Sequence, residues 1–238
     1  KDKSGKTALI LAVINNKIEV AKLLIEKGAN IEIKDNSNNT ALNYALLQGF
    51  VDIAKLLFSR NARFNMDEIA PNPFLKAIND NNIGMAELLI SKGINVKSVN
   101  GIGKLAIISA IEANHFEATK LLLDKGVIVS GQEQYFPTPP LISAIEKGAS
   151  YKIIELLLSK GVNVNKVHIK FPSLIYALEK NCNNEIIELL LLKGADPNFK
   201  SFPTMTPLIY AIQKNKISVI KLLLKHGADI NLKVEVTV

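Results

Sequence analysis

Apolar residues recur along this chain at helical spacing, in pairs of short segments. In the stretch TALILAVINNKIEVAKLLIEKGAN, Thr7 to Asn30, the positions Val20, Leu23 and Leu24 stand three and four residues apart and share one helix face. The pattern predicts a short helix, a tight turn, a second helix and a glycine stop. The pair Leu23-Leu24 recurs as Leu56-Leu57, Leu88-Leu89, Leu121-Leu122, Leu156-Leu157, Leu189-Leu190 and Leu222-Leu223, at steps of 33, 32, 33, 35, 33 and 33 residues. Ile53, Ile153, Ile186 and Val219 repeat the Val20 position, and Met85 substitutes in its own unit.

Two further ladders run in phase. Ala12, Ala45, Ala77, Ala110, Ala144, Ala177 and Ala211 mark a place where a bulkier side chain pushes neighbouring helices apart. Gly28, Asn61, Gly93, Gly126, Gly161, Gly194 and Gly227 close the units. A residue that follows a helix suits the left-handed conformation, and Asn is next to Gly in tolerating it. One such unit cannot bury its apolar face alone. Stacked units can, so stability is shared between neighbours. The fold class is all-α: a solenoid of stacked helix-turn-helix units.

The unit resembles the ankyrin repeat, whose period is near 33 residues with a Thr-Pro-Leu-His start and a Gly-Ala-Asp end. Here the start reads Thr7-Ala8-Leu9, Thr40-Ala41-Leu42 and Thr206-Pro207-Leu208; the end reads Gly28-Ala29-Asn30, Gly194-Ala195-Asp196 and Gly227-Ala228-Asp229. The resemblance covers almost the whole chain as seven repeats, about 2–34, 35–66, 67–99, 100–133, 134–166, 167–200 and 201–238, in one array over 1–238. It implies hairpin-like fingers between the helix pairs and a protein-binding role. The chain departs from the family pattern in places. Ile10, Asn43, Leu75, Ile108, Ile142, Ile175 and Ile209 take the place of the start-motif histidine, and the fourth unit ends Gly126-Val127-Ile128 without a polar cap. The fifth and sixth units carry an extra residue near Gly148 and Asn183.

Charge changes this picture little. The net charge of +7 invites a nucleic-acid or anionic-membrane reading. A local use of the basic residues competes with it. Lys27, Arg60, Lys92, Lys125, Lys160, Lys193 and His226 each precede the closing position, in the last turn of a helix, where a cation offsets the dipole by about 0.3–1 kcal/mol. Nucleic acid is therefore not the expected partner. No apolar run approaches the roughly 20 residues of a membrane span. The single cysteine, Cys182, fits a reducing, cytoplasmic setting, or a host cytosol if the chain is a secreted effector. The chain opens on Lys1 inside the repeat, which leads us to expect a piece of a longer protein.

Candidate chemistry is absent from the pattern. Asp35-Asn36-Ser37-Asn38-Asn39 lacks the glycine and the final carboxylate of a calcium loop, where Leu46 stands. Gly101-Ile102-Gly103-Lys104 lacks the earlier glycine and the following hydroxyl of a phosphate loop, with Ser98 and Leu105 in those places. His115, His168 and His226 fall at different places in different units. No catalytic, cofactor or metal residue is assigned.

The informative asymmetry is in the fingers. Units one and two carry Lys3, Ser4, Lys6, Asn36, Ser37 and Asn39. Units five to seven carry Tyr135, Phe136 and Thr138, then His168, Ile169 and Phe171, then Phe202, Pro203 and Met205. Beside them the first helices offer Glu146, Lys147, Glu179, Lys180, Gln213 and Lys214 on one expected concave face. Large apolar groups at exposed adjacent places suit an interaction site; the alternative is that they fold back and stiffen the array. The leading reading is a protein–protein scaffold binding through the concave face and finger tips of repeats four to seven. Two others are the targeting segment of a larger enzyme or effector, and an anionic-surface binder. The tail Leu232–Val238 alternates apolar and polar residues, a weak strand pattern.

Overall fold

The structure, a computed structural model, describes residues 1–97, 101–130, 136, 138–200 and 205–232. Among these residues the chain forms fourteen α-helices and a short 3-10 turn at Met66–Glu68, with no strand. The tail alternation beyond Leu232 lies outside the described residues. The chain divides into two compact units, Lys1–Val96 and Lys97–Val238.

The first unit holds three helix pairs: α1 (Ala8–Ile14) with α2 (Ile18–Glu26), α3 (Ala41–Leu47) with α4 (Val51–Ser59), and α5 (Pro73–Asn79) with α6 (Ile83–Ser91). Here α1 packs on α2 and α3, and α2 on α4. The second unit holds four: α7 (Ile102–Glu112) with α8 (Phe116–Asp124), α9 (Pro140–Glu146) with α10 (Tyr151–Ser159), α11 (Ser173–Glu179) with α12 (Asn184–Leu192), and α13 (Pro207–Gln213) with α14 (Ile217–Lys225). First helices pack on first helices, and second on second. At seven to eleven residues, none of these helices is long enough to be stable alone in water. Packing between pairs supplies the stability.

The ladders explain the short lengths. Thr7, Thr40 and Thr206 cap first helices, their Oγ1 accepting from the N–H of Ile10, Asn43 and Ile209. Asn72 does the same for α5, where Pro73 takes the first helical position, which needs no N–H. The seven closing residues all have positive φ, from 61° at Asn61 to 101° at Gly93. The basic residue before each is the C-cap itself, one place beyond the last turn in which the sequence put it. The end-motif Asn or Asp closes a side-chain turn: Asn30, Asp196 and Asp229 each accept from the N–H two residues on. Every residue of the alanine ladder is buried.

Asp35 anchors the finger of the second repeat. Its Oδ1 accepts from the N–H of Ser37 and Asn39, and its Oδ2 from the Tyr44 hydroxyl at 2.7 Å. Burial by itself raises this carboxyl. The Tyr44 and backbone hydrogen bonds, with the charge of Lys6, outweigh burial and hold it below the ordinary carboxylate value of 3.8. A depressed folded pKa contributes stability above the unfolded value and loses it as pH falls through the folded one. Acidification below about pH 4 therefore weakens the first unit. Asp35→Asn is expected to be less stable than the parent at pH 7 and to flatten that acid-side slope in chemical unfolding.

Candidate functional site

The finger of the sixth repeat is described throughout, with His168, Ile169 and Phe171 all placed. Its base is fixed from inside: the Ser173 hydroxyl donates to the Val164 carbonyl at 2.6 Å, and the Tyr176 hydroxyl to the His168 carbonyl at 3.1 Å. The Tyr176 ring lies near-perpendicular to Phe171, centroids 6.1 Å apart, and 6.4 Å from His168. His168 and Phe171 exchange backbone hydrogen bonds across the tip, an isolated antiparallel bridge. His168 and Phe171 are half-buried in this cluster.

The tip is different. Ile169 is 80 % exposed and has φ +57°. A β-branched side chain in the left-handed region is a steric outlier, at a cost of about 1–2 kcal/mol. Val167 is exposed beside it, and so are the ammonium groups of Lys166 and Lys170. The finger thus presents an apolar point between cations, on a base ordered by aromatic packing.

The neighbouring fingers differ. Phe136 is 7 % exposed, with the Lys104 ammonium 5.2 Å from its ring centroid. It serves packing within the unit and offers no face to solvent. Tyr135 and Phe202 lie outside the described residues, as does Pro203. Met205 is half-buried. An unbroken row of exposed aromatic tips is therefore not what the described residues present.

The first-helix residues do reach the surface. Glu146, Lys147, Glu179, Lys180, Gln213 and Lys214 are all exposed, each pair being the last helical residue and the C-cap of α9, α11 or α13. Glu112 at the end of α7 adds a carboxylate in the same place and accepts from the Ser143 hydroxyl at 2.9 Å. The carboxylates act on two tyrosines. Burial first, then the charges of Glu146 and Glu179, raise the Tyr176 phenol; burial, then Glu179, raises Tyr210. An open groove of about 520 Å³ between repeats five and six brings Glu146, Lys147 and Lys180 together with Asn181 and Cys182. The Cys182 thiol is half-buried, and burial pushes it up against the opposing charge of Lys216, the reverse of a reactive cysteine.

One ladder escaped the sequence reading. The residue four places after each ladder alanine is left-handed: Asn16, Gly49, Asn81, Asn114, Gly148, Asn181 and Asn215. Its signal, Asn or Gly at one place in every unit, was present but lay between helices, where no apolar period marks it. Among the described residues no group of three His, Cys, Asp or Glu side chains is arranged to hold a metal ion, and no helix is long and apolar enough to cross a membrane.

Comparison with known proteins agrees with this architecture. The family model for ankyrin repeats (three copies) matches residues 1–68, 74–168 and 141–234. The ankyrin repeat protein FPV222 of fowlpox virus (strain NVSL) is 27% identical over 96 residues, which are 40% of this chain and 13% of the viral protein. The chain thus aligns with only a small part of that relative's length. The crystal structure of the human ASB11 ankyrin repeat domain superposes with a TM-score of 0.66 at 22% identity, over 94% of this chain and 99% of that one. The ankyrin repeat domain of Bcl-3, described as a member of the IkappaB protein family, gives 0.54 at 20% identity, over 98% and 93%.

Proposed function

The chain belongs to the ankyrin-repeat family, and from that premise we propose that its second unit recognises another protein through the finger of repeat six and the first-helix strip of α9, α11 and α13. Domains of this family are, in general, protein–protein interaction modules. The observation that carries the finer reading is Ile169: a large apolar side chain held exposed, in a strained conformation, on a rigid base. The backbone hydrogen bonds between His168 and Phe171 hold that turn, and the Ile169 side chain it presents stays 80 % exposed. Contact with a partner covers it, and a preorganised apolar anchor contributes roughly 2 kcal/mol or more at an interface. The proposed partner surface is an apolar pocket rimmed by carboxylates, facing Lys166 and Lys170. The charged strip would set register and exclude wrong partners rather than supply most of the affinity. The proposed setting is the cytoplasm, in keeping with a single cysteine.

Two substitutions at one position test this. Ile169→Gly relieves the left-handed strain and is expected to stabilise the second unit by about 1 kcal/mol, while weakening capture of protein partners by the immobilised chain about tenfold or more. Ile169→Ala weakens capture equally. Unchanged capture with both variants contradicts the reading. So does binding that is reproduced by anionic vesicles or nucleic acid and collapses with salt, as phosphate-driven affinity does.

A further inference from the structure

One side chain of the second helices is out of pattern. Leu192, the last residue of α12, is 67 % exposed. The other six repeats put Glu26, Ser59, Ser91, Asp124, Ser159 and Lys225 at that place, all polar and all exposed. The hydroxyls of Ser59, Ser91 and Ser159 donate to the carbonyl three residues back at 2.6, 2.6 and 2.7 Å, as suits a helix end in water. Helix α12 has α10 on one side and α14 on the other, so Leu192 is bared by its outward direction and not by lying at an end.

Leu192 closes a stripe along α12. Glu185, Glu188, Leu189 and Leu192 stand at i, i+3, i+4 and i+7 on one helix face. With Tyr151, the first residue of α10, they line a groove of about 380 Å³ between the two helices. Its walls are two carboxylates, two leucines and an aromatic ring, with no cation among them, in a chain of net charge +7. The carboxylates around it are differently engaged. Glu188 holds Lys225 at 2.8 Å. Glu155, one turn along α10 from Tyr151, accepts from the Tyr151 hydroxyl at 3.3 Å. Glu185 is exposed and is in no ion pair among the described residues. Burial, then the charge and hydrogen bond of Glu155, then the charge of Glu185 raise the Tyr151 phenol, so both carboxylates act on that hydroxyl. The cations Lys152 and Lys193 line instead the next groove, between α8 and α10, beside Phe116 and Leu156.

We infer that the α10–α12 groove is a second docking site, for a protein segment that carries arginine or lysine beside an aliphatic side chain. The aliphatic side chain covers Leu192, and the cation meets Glu185 beside the Tyr151 ring, on whose face a guanidinium stacks. The sign of the segment follows from the walls. An acidic one brings like charge against Glu185 and Glu188, and a purely apolar one covers Glu185 without pairing it. The site consists of second-helix residues alone, so it does not depend on the finger of repeat six or on the first-helix strip.

Two synthetic peptides test this, with the same row of leucines, one carrying arginine and the other glutamate beside them. In fluorescence anisotropy titrations with up to about 500 μM of the chain, the arginine peptide is expected to bind about tenfold more tightly than the glutamate peptide. Leu192→Ser installs the residue of repeats two, three and five, and is expected to weaken the arginine peptide about fivefold or more. Glu185→Lys installs the residue that Lys152 supplies in repeat five, and is expected to abolish or reverse the preference between the peptides. Both positions are exposed, so far-ultraviolet circular dichroism is expected to match the parent. Ile169→Ala is expected to leave both affinities unchanged. The inference is overturned by an arginine peptide that does not bind, by equal binding of the two peptides, by an affinity that Leu192→Ser leaves unchanged, or by a preference that Glu185→Lys leaves intact. A loss with Ile169→Ala as large as with Leu192→Ser also overturns it, since the peptide would then sit on the finger.

Discussion

Leu190→Ala is expected to lower the stability of the second unit by about 3–4 kcal/mol, the range for a fully buried leucine whose site cannot collapse. Leu190 is 0 % exposed, in α12, and α12 packs on α10, α11 and α14. Truncation leaves a cavity walled by three other helices. Each of them is held by further partners and cannot move in to fill it. The same leucine pair in the first repeat behaves differently. Leu23, the counterpart of Leu189, is 54 % exposed where Leu189 is 5 % exposed, and Leu23→Ala is expected to cost under about 1 kcal/mol. Urea unfolding followed by circular dichroism separates the two. Similar losses for both would mean that the leucine ladder stabilises each helix pair from within, not through its neighbours.

The second large effect is at Phe136. Phe136→Ala is expected to destabilise the second unit by about 3 kcal/mol, at the lower end for a buried aromatic because the ring sits in a finger and not between helices. Lys104→Gln removes only the cation over the ring and is expected to cost about 0.5–1 kcal/mol. Under conditions where both variants remain folded, partner capture is expected to be unchanged, in contrast to Ile169→Ala. A Phe136→Ala variant of parental stability with lost capture would return this ring to the binding surface.

These two positions show what sequence could and could not convey. The helices, their caps and the left-handed closing residues follow from local chemistry. Thr7 has an N–H three residues on to accept from, Pro73 needs no donor at its place, and Gly28 has no Cβ to clash. Such features depend on a few adjacent residues and were legible. Finger orientation was not. Phe136 and Ile169 are both large apolar residues in fingers, and no period distinguishes them. Phe136 is drawn in, with Lys104, thirty-two positions earlier, over its ring; Ile169 is pushed out by a turn closed between His168 and Phe171. Those are relations between segments, fixed only when the repeats stack.

The claim beneath all of this is that a helix pair here has no interior of its own and is completed by the pairs beside it. Native-state hydrogen exchange on Leu190→Ala tests it most directly. The account predicts that amide protection falls not only in α11 and α12, where the cavity lies, but by a comparable factor in α9, α10, α13 and α14. Loss of protection confined to α11 and α12, with the flanking pairs as slow to exchange as in the parent, would contradict it.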